Sequence, residues 1–474
     1  MAPVGPTCEP DTVYPIVVPD TQTQALGRTF TYAATGNLAA RLQVGSRVLV
    51  PLGKRTVTAY VVGFAGEKPD FDLKPVKALL ADEPLFNERL LALCRWTAEH
   101  YQSSLADAIR CAVPSGLDEK TRRTLRVEAP EAAPEALEAL RTRAPVQAQA
   151  LAEILDRGGE AEYWQVKRAV GAARASAAVA ALVRKGIVSE RRELRPPATR
   201  RKHERRVRLL VALDEVDELL EQLRGRAPKQ AAIVEAARQA GGEVLAKALA
   251  GQVNAPAAAL RALQTKGIIA VDTVESLRAP DTGSWETPAA SAIELTDAQK
   301  RARDLIRGAL DAPPATVLVY GITGSGKTEV YLRAIADVLS RGRQALMLVP
   351  EISLTPQTIG RLSARFGPDL AVLHSALGRG ERYDEWRRVR DGRARIAVGA
   401  RSAVFAPFAS LGLIVIDEEH EPAYKQERAP RYHAREVAIR RAREAGCVAI
   451  LGSATPSMES FYFGREGRYV YVHL

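Results

Sequence analysis

Cysteine is scarce in this chain of 474 residues. There are four, Cys8, Cys94, Cys111 and Cys447, far apart in the sequence. None forms a Cys-x-x-Cys pair, so the spacing offers neither a zinc site nor a disulfide framework. Long apolar runs are missing as well. No stretch approaches the ~20 residues that a bilayer-crossing helix needs, and no membrane partner is expected. The opening Met1-Ala-Pro-Val-Gly-Pro has no basic head and no apolar core, so no signal peptide is expected either. These absences argue against membrane-embedded and disulfide-stapled secreted classes and fit a cytoplasmic location.

What is present is an ordinary soluble composition, 46% hydrophobic and 26% charged. The length exceeds what one core can hold, so about two to four domains are expected. The net charge of +11 and pI near 9.5 allow a polyanionic partner, although basic faces are often simply solvated.

The most informative stretch is Thr316-Val-Leu-Val-Tyr-Gly321-Ile-Thr323-Gly324-Ser325-Gly326-Lys327-Thr328. An apolar β-branched run reads as a buried strand, Gly-x-x-x-x-Gly-Lys-Thr follows, and helical periodicity resumes from Val330. Strand, glycine loop and helix together are the context of a P-loop. Backbone N–H groups must wrap a polyphosphate, and glycines permit that approach. The helix N-terminus favours anions. Lys327 can reach the β and γ phosphates of ATP, and Thr328 can ligate Mg²⁺. A glycine turn before an ordinary helix is the plain alternative. Gln299, upstream, can pair its amide with adenine, while Thr296 or Asp297 beside it can equally be a helix cap.

A second apolar run, Leu413-Ile-Val-Ile416, ends in Asp417-Glu418-Glu419-His420. That is Walker B logic: Asp417 holds Mg²⁺ and Glu418 orients and deprotonates the attacking water. Three acidic groups at the end of a buried strand are costly without a cation, which favours function over a solvated turn. Gly452-Ser453-Ala454-Thr455 follows another apolar run. Its hydroxyls, with His420, are candidates for coupling nucleotide state to a DNA path; taken alone the stretch is a polar turn.

Elsewhere the texture changes along the chain. Residues 1–12 read as a loose leader. Short β runs from Val13 to Phe64 predict a small barrel or sandwich, with aromatics and Lys/Arg interleaved for nucleic-acid contact or for core packing. Residues 87–110 have helical spacing. The basic run 190–206 reads as a solvated wing or linker. Gln147…Gly158-Gly159…Lys185-Gly186-Ile187 is echoed by Gln230…Gly241-Gly242…Lys266-Gly267-Ile268, an internal repeat with winged-helix grammar. The third helices of both copies are poor in base-reading side chains, so shape or phosphate contact is expected of them if they meet DNA. Residues 278–292 read as a linker. Beyond it, apolar strands alternate with helices as in a parallel sheet covered on both faces.

The order of these motifs resembles a superfamily 2 helicase motor. Val349-Pro-Glu-Ile-Ser-Leu-Thr-Pro-Gln357, Gly399-Ala-Arg-Ser-Ala-Val-Phe-Ala-Pro-Phe408 and Tyr424-Lys-Gln-Glu…Pro430-Arg-Tyr-His-Ala-Arg435 narrow the likeness. So do Arg28-Thr-Phe-Thr-Tyr32 and Val44–Gly53 at the front. Together they resemble the PriA family of bacterial replication-restart helicases. The resemblance implies a multidomain α+β and α/β chain. Its parts are a β-barrel-like domain over 13–116 that binds a 3′ DNA end, a winged-helix-like domain over 131–195, a second such unit over 207–277, and a RecA-like P-loop lobe over 293–474. Phe30, Gly53 and Lys74 match the family's 3′-end pocket. Thr31 stands where the family often has an acidic residue, a weaker acceptor for a base or 3′-hydroxyl. Tyr424, Lys425, Arg431 and Tyr432 match its aromatic-rich, DNA-contacting loop.

The implied partners are forked and single-stranded DNA, primosome proteins and single-stranded-DNA-binding protein, in a nucleoid-associated setting. The implied activity is initiation of primosome assembly with ATP-driven 3′–5′ unwinding. The family's second motor lobe, with arginine fingers and zinc-binding cysteines, lies beyond Leu474 in the family pattern. Such fingers are worth on the order of 10³–10⁵ in rate. The sequence therefore carries two expectations: a motor when a second lobe is present, or a fork-binding scaffold that does not unwind.

Overall fold

Four sheets organise the described residues of the computed structural model, which are 12–20, 28–53, 55–81, 83–114, 121–194, 202–212, 215–253, 257–276, 278, 294–375 and 377–474. The leader expected at 1–12 and the linker expected at 278–292 lie outside the described residues, apart from Thr12 and Arg278. The chain divides into two compact units, Ser115–Thr199 and Met1–Pro114 with Arg200–Leu474.

The first sheet has the order Phe30–Thr31, Tyr14–Pro19, Arg55–Ala65, Arg47–Leu52, Ala78–Leu79. A bridge between Ala33 and Pro75 joins its two edges, with Ala33 N donating to Lys74 O at 3.1 Å and Val76 N to Ala33 O at 2.9 Å. Closure removes the open edges and makes a small barrel. Val17, Val48, Val50, Ala59 and Val61 fill it. The helical stretch expected at 87–110 is two helices, Glu88–His100 and Leu105–Ala112. Gln102 takes a left-handed φ of 49° and Ser104 caps the second helix by accepting from Asp107 N, which together turn the chain.

The two repeat units have the same order of elements. In one, strand Thr121–Val127 leads through two helices to strand Glu160–Glu162, then two more helices and strand Val188–Leu194. In the other, strand Lys202–Leu209 leads likewise to Glu243–Leu245 and Ile269–Ser276. Each makes a three-stranded antiparallel sheet with its first strand in the middle. The Gly-Gly breaks are required by left-handed backbone, 78° and 85° at Gly158 and Gly159, 78° and 93° at Gly241 and Gly242. Lys185 Nζ donates to Gln147 Oε1 at 2.8 Å, and Lys266 Nζ to Gln230 Oε1 at 3.0 Å.

The run 190–206, read as a solvated wing or linker, begins in the strand Val188–Leu194 and ends in the strand Lys202–Leu209, which belong to separate sheets, and the division between the two units falls within it. The charges of these strands hid the alternation: Arg206 pairs with Glu243 and Asp272 across the sheet.

The last sheet has seven parallel strands in the order Leu370–Leu373, Ile396–Gly399, Gln344–Leu348, Leu411–Ile416, Val448–Ser453, Ala315–Tyr320, Val470–His473. The central strand Leu411–Ile416 is buried at every position, as a parallel strand covered on both faces must be. The order places the strands ending at Tyr320, Ile416 and Ser453 side by side, so the P-loop, the acidic cluster and the Ser-Ala-Thr turn emerge together at one sheet end.

One motor helix, Arg379–Arg390, also ties neighbouring parts of its unit together. Trp386 Nε1 donates to Ala112 O at 3.2 Å, Arg390 pairs with Glu83, Arg387 with Glu275, and Arg278 with the buried Asp384 at 3.0 Å. Buried ion pairs of this kind fix geometry more than they add stability.

Candidate nucleotide and nucleic-acid site

Strand Ala315–Tyr320 delivers the glycine loop, and the helix Lys327–Ser340 begins at its end. Gly324 and Gly326 both have φ of 85°, a left-handed backbone that turns successive N–H groups inward. Gly326 is needed twice over, since a Cβ there would stand 2.2 Å from Gln299 Nε2. Lys327 is buried, and its Nζ donates to Gly321 O at 2.8 Å and Ile322 O at 3.3 Å. The ammonium thus sits on the loop's own carbonyls, where a phosphate would replace them. Ser325 Oγ is buried without a partner, an orphan that a phosphate oxygen would satisfy. Thr323, Gly324 and Thr328 are exposed. Those features fit a nucleotide polyphosphate.

Gln299 lies against this loop. Its Nε2 donates to Ser325 O at 2.9 Å, and its Oε1 accepts from Thr296 N at 3.0 Å while Thr296 caps the helix Asp297–Asp311. The cap reading and the nucleotide reading of this stretch therefore meet in one side chain, which braces the loop from behind Gly326.

Asp417 follows the central strand, and its N–H donates to Leu348 O at 2.9 Å. Burial pushes its carboxyl up to about 6, and Glu418 adds to the rise while Lys327 opposes it. An added cation would offset that burial cost. Glu418 has φ of 46°, a left-handed backbone costly for a non-glycine residue and one that turns its side chain out of the strand's line. His420 Nδ1 lies 2.7 Å from Ser453 Oγ and its Nε2 lies 3.2 Å from Thr455 Oγ1. Gly321 N donates to Ser453 O at 3.2 Å. The structure thus brings Lys327, Thr328, Asp417, Glu418, His420, Ser453 and Thr455 into one connected cluster.

Glu419 does not need a metal ion, because its charge is met by the Arg435 guanidinium. It is fully buried and accepts from Arg435 Nη1 at 2.7 Å, Ser457 N at 2.7 Å and Ser460 Oγ at 3.1 Å. It anchors the start of the helix Met458–Arg465. The sequence showed Arg435 only as part of a motif, and only the fold brings it to Glu419.

The aromatic loop differs from its expected role in one respect. Tyr424 and Tyr432 are each 1% exposed, so neither presents a ring to a base. Tyr424 Oη donates to Asp417 O at 2.7 Å, and Tyr432 packs edge-on against Phe405. Arg401 Nη1 clamps the loop by donating to Ala423 O at 3.0 Å and Lys425 O at 2.5 Å. Lys425 and Arg431 are exposed, although Lys425 Nζ donates to Arg431 O at 2.6 Å and Arg431 Nε to Glu427 O at 3.1 Å. Lys425 also lies over the Tyr101 ring, and His433 N donates to Tyr101 Oη at 3.2 Å.

In the barrel, Phe30 is half-buried against the core, whereas Gly53 and Lys74 are exposed. Ala33 brings Lys74 to the end of the Phe30–Thr31 strand. The Tyr32 hydroxyl, donating to Pro51 O at 2.9 Å, ties the approach to the Gly53 turn to that same strand. Gly53 has φ of 58° with open space above it.

Two family models match the chain: the 3′DNA-binding domain (3′BD) of PriA over residues 16–114, and the DEAD/DEAH box helicase over 296–461. The replication restart protein PriA of Bacillus subtilis is 35% identical over 463 residues, 97% of this chain and 55% of that protein. The chain is PriA-like in sequence. PriA of Synechocystis is also 35% identical, over 91% of this chain and 51% of that protein, so the chain spans about half the length of these relatives. PriA of Chlamydia pneumoniae is 51% identical over 160 residues, 34% of this chain and 21% of that protein. Among solved structures, RecG bound to a three-way DNA junction is 26% identical with a TM-score of 0.31, over 38% of this chain and 24% of that one.

Among the described residues no helix is long and apolar enough to cross a membrane, and no group of three or more His, Cys, Asp or Glu side chains stands ready to hold a metal by itself.

Proposed function

We propose that this PriA-like chain binds branched DNA at stalled replication forks, binds ATP–Mg²⁺ at its glycine loop, and initiates primosome assembly. In the whole protein this would accompany ATP-driven 3′–5′ unwinding. The domain roles follow the boundaries read from the sequence: a 3′-end-binding barrel, two winged-helix-like units and a RecA-like lobe, working beside the nucleoid with single-stranded-DNA-binding protein.

The observation that carries the reading is the convergence of Lys327, the orphaned Ser325 Oγ and Asp417 at one sheet end. In this reading Lys327 leaves Gly321 O and Ile322 O for the β and γ phosphates. Thr328 and Asp417 would hold Mg²⁺, which when bound would supply neutralisation of phosphate charge. Glu418 orients and deprotonates the attacking water. His420 carries the change to Ser453 and Thr455. The barrel's Phe30, Gly53 and Lys74 receive a DNA end, and Lys425 and Arg431 follow the backbone.

The test is ATP turnover by this chain with and without forked DNA. Fork-stimulated turnover that Lys327→Ala abolishes supports the reading. Tight fork binding with no turnover favours the scaffold that does not unwind.

A further inference from the structure

Tyr331 stands one helical turn beyond Lys327 in the helix Lys327–Ser340, so the two side chains leave the same face. Tyr331 is fully buried, and its hydroxyl approaches the Asp417 side chain as a donor without closing a bond of full hydrogen-bond geometry. The hydroxyl fills the space above Gly452. A Cβ built there would stand 1.6 Å from the Tyr331 oxygen and 2.6 Å from its Cζ. Only glycine at 452 admits this tyrosine.

Gly452 lies in the strand Val448–Ser453, where Leu451 pairs with Ile416. One step further along the ladder, Gly452 flanks Asp417, and its carbonyl accepts from Glu419 N at 3.0 Å. The tyrosine hydroxyl is thereby delivered beside the Asp417 carboxylate, and each group feels the other electrostatically. A phenylalanine would fill the same volume without burying a lone donor. Buried hydroxyls are as a rule paired, and the Asp417 carboxylate is the acceptor within reach of this one.

The geometry points to Tyr331 as a positioning residue for Asp417: its hydroxyl donates to one carboxylate oxygen when the other turns to the nucleotide-linked Mg²⁺. This rests on Asp417 holding that metal, as proposed above. The tyrosine then sets the carboxylate's orientation from the P-loop helix, so that Lys327 and Asp417 are placed by one rigid element. Partners of this kind behind a metal ligand are worth about 10–100-fold in metal affinity.

The test uses the full chain with a fluorescent ATP analogue, titrating Mg²⁺ without DNA. Tyr331→Phe is expected to match the unsubstituted chain in EDTA and to melt at the same temperature or higher. It is expected to need about 10–100-fold more Mg²⁺ for half-maximal response. An unchanged Mg²⁺ requirement overturns the proposal. Gly452→Ala, which drives the ring away, is expected to lower the melting temperature and raise the Mg²⁺ requirement together. Adding Tyr331→Phe to it should recover part of the melting loss and none of the Mg²⁺ affinity. A double variant with unsubstituted-like Mg²⁺ affinity also overturns the proposal. If Asp417→Asn binds the analogue with an unaltered Mg²⁺ dependence, the metal-holding reading of Asp417 fails, and the role of Tyr331 fails with it.

Discussion

The glycine loop at 321–328 and the aromatic loop at 424–435 both bear on Asp417, one through Lys327 and the other through the Tyr424 hydroxyl. They differ in what they leave open. The glycine loop exposes Thr323, Gly324 and Thr328 and holds a buried, unpaired Ser325 hydroxyl. The aromatic loop hides both its tyrosines, has its carbonyls clamped by Arg401, and rests on Tyr101. The first is poised to gain a ligand. The second is already bound, and its ligand is the rest of the chain. A DNA strand that engages it meets the exposed cations Lys425, Arg428 and Arg431 without disturbing the core.

The comparison can be broken most forcefully at Lys327. Lys327→Ala should lower any DNA-stimulated ATP turnover by at least about 100-fold, the scale of removing one preorganised charge-stabilising donor. Melting should stay close to that of the parent chain. Turnover within a few-fold of the parent would mean that the glycine loop is not the nucleotide site.

At the aromatic loop the large effect should be on stability. Tyr424→Ala removes a fully buried ring and its bond to Asp417 O, and should cost about 3–5 kcal/mol in denaturant unfolding. Tyr424→Phe, which loses only the hydrogen bond, should cost about 1 kcal/mol. A stable Tyr424→Ala chain that fails only in DNA binding would mean that this ring faces nucleic acid.

Asp417 itself sharpens the comparison by pH. Its folded-state value, near 6, lies above the usual 3.8 for aspartate. The folded chain therefore favours the protonated form, and stability is lost as pH rises from about 4 through 6. Asp417→Asn should raise stability at pH 7 by up to about 3 kcal/mol and have little effect near pH 4. Equal stability of the two proteins across that range would contradict the burial argument.

The smallest effect should come from the exposed side of the aromatic loop. Lys425→Ala should change stability by less than about 0.5 kcal/mol and reduce the salt slope of DNA binding by about one. An unchanged slope would remove Lys425 from the interface.

These two loops also separate what a sequence discloses from what it withholds. The glycine loop was legible because its shape is set locally: left-handed turns at Gly324 and Gly326 and a helix beginning at Lys327. Six of the seven strands were nearly as plain, since fully buried parallel strands read as apolar runs, whereas the edge strand Val470–His473 is only partly buried and offers no such run. The fate of Tyr424 and Tyr432 was not legible, because it is set by the packing of the whole loop, in which the neighbouring Lys425 and His433 rest on Tyr101, over 300 residues away in sequence. Tyr and Arg in a loop suggest stacking until burial is known. Glu419 misled for the same reason, as Arg435 and Ser457 reach it only through the fold. The repeat announced itself by its paired Gly-Gly and Lys-Gly-Ile signals. The first strand of each copy did not, since the Arg-rich strands at 121–127 and 202–209 carry no clean apolar alternation, and in the second copy Arg206 pairs its charge across the sheet.

The most direct test of the account is equilibrium binding of a fluorescent ATP analogue to this chain in the presence of Mg²⁺. The account predicts saturable binding that Lys327→Ala abolishes and that Lys425→Ala leaves intact. No saturable binding, or binding indifferent to Lys327→Ala, would contradict it.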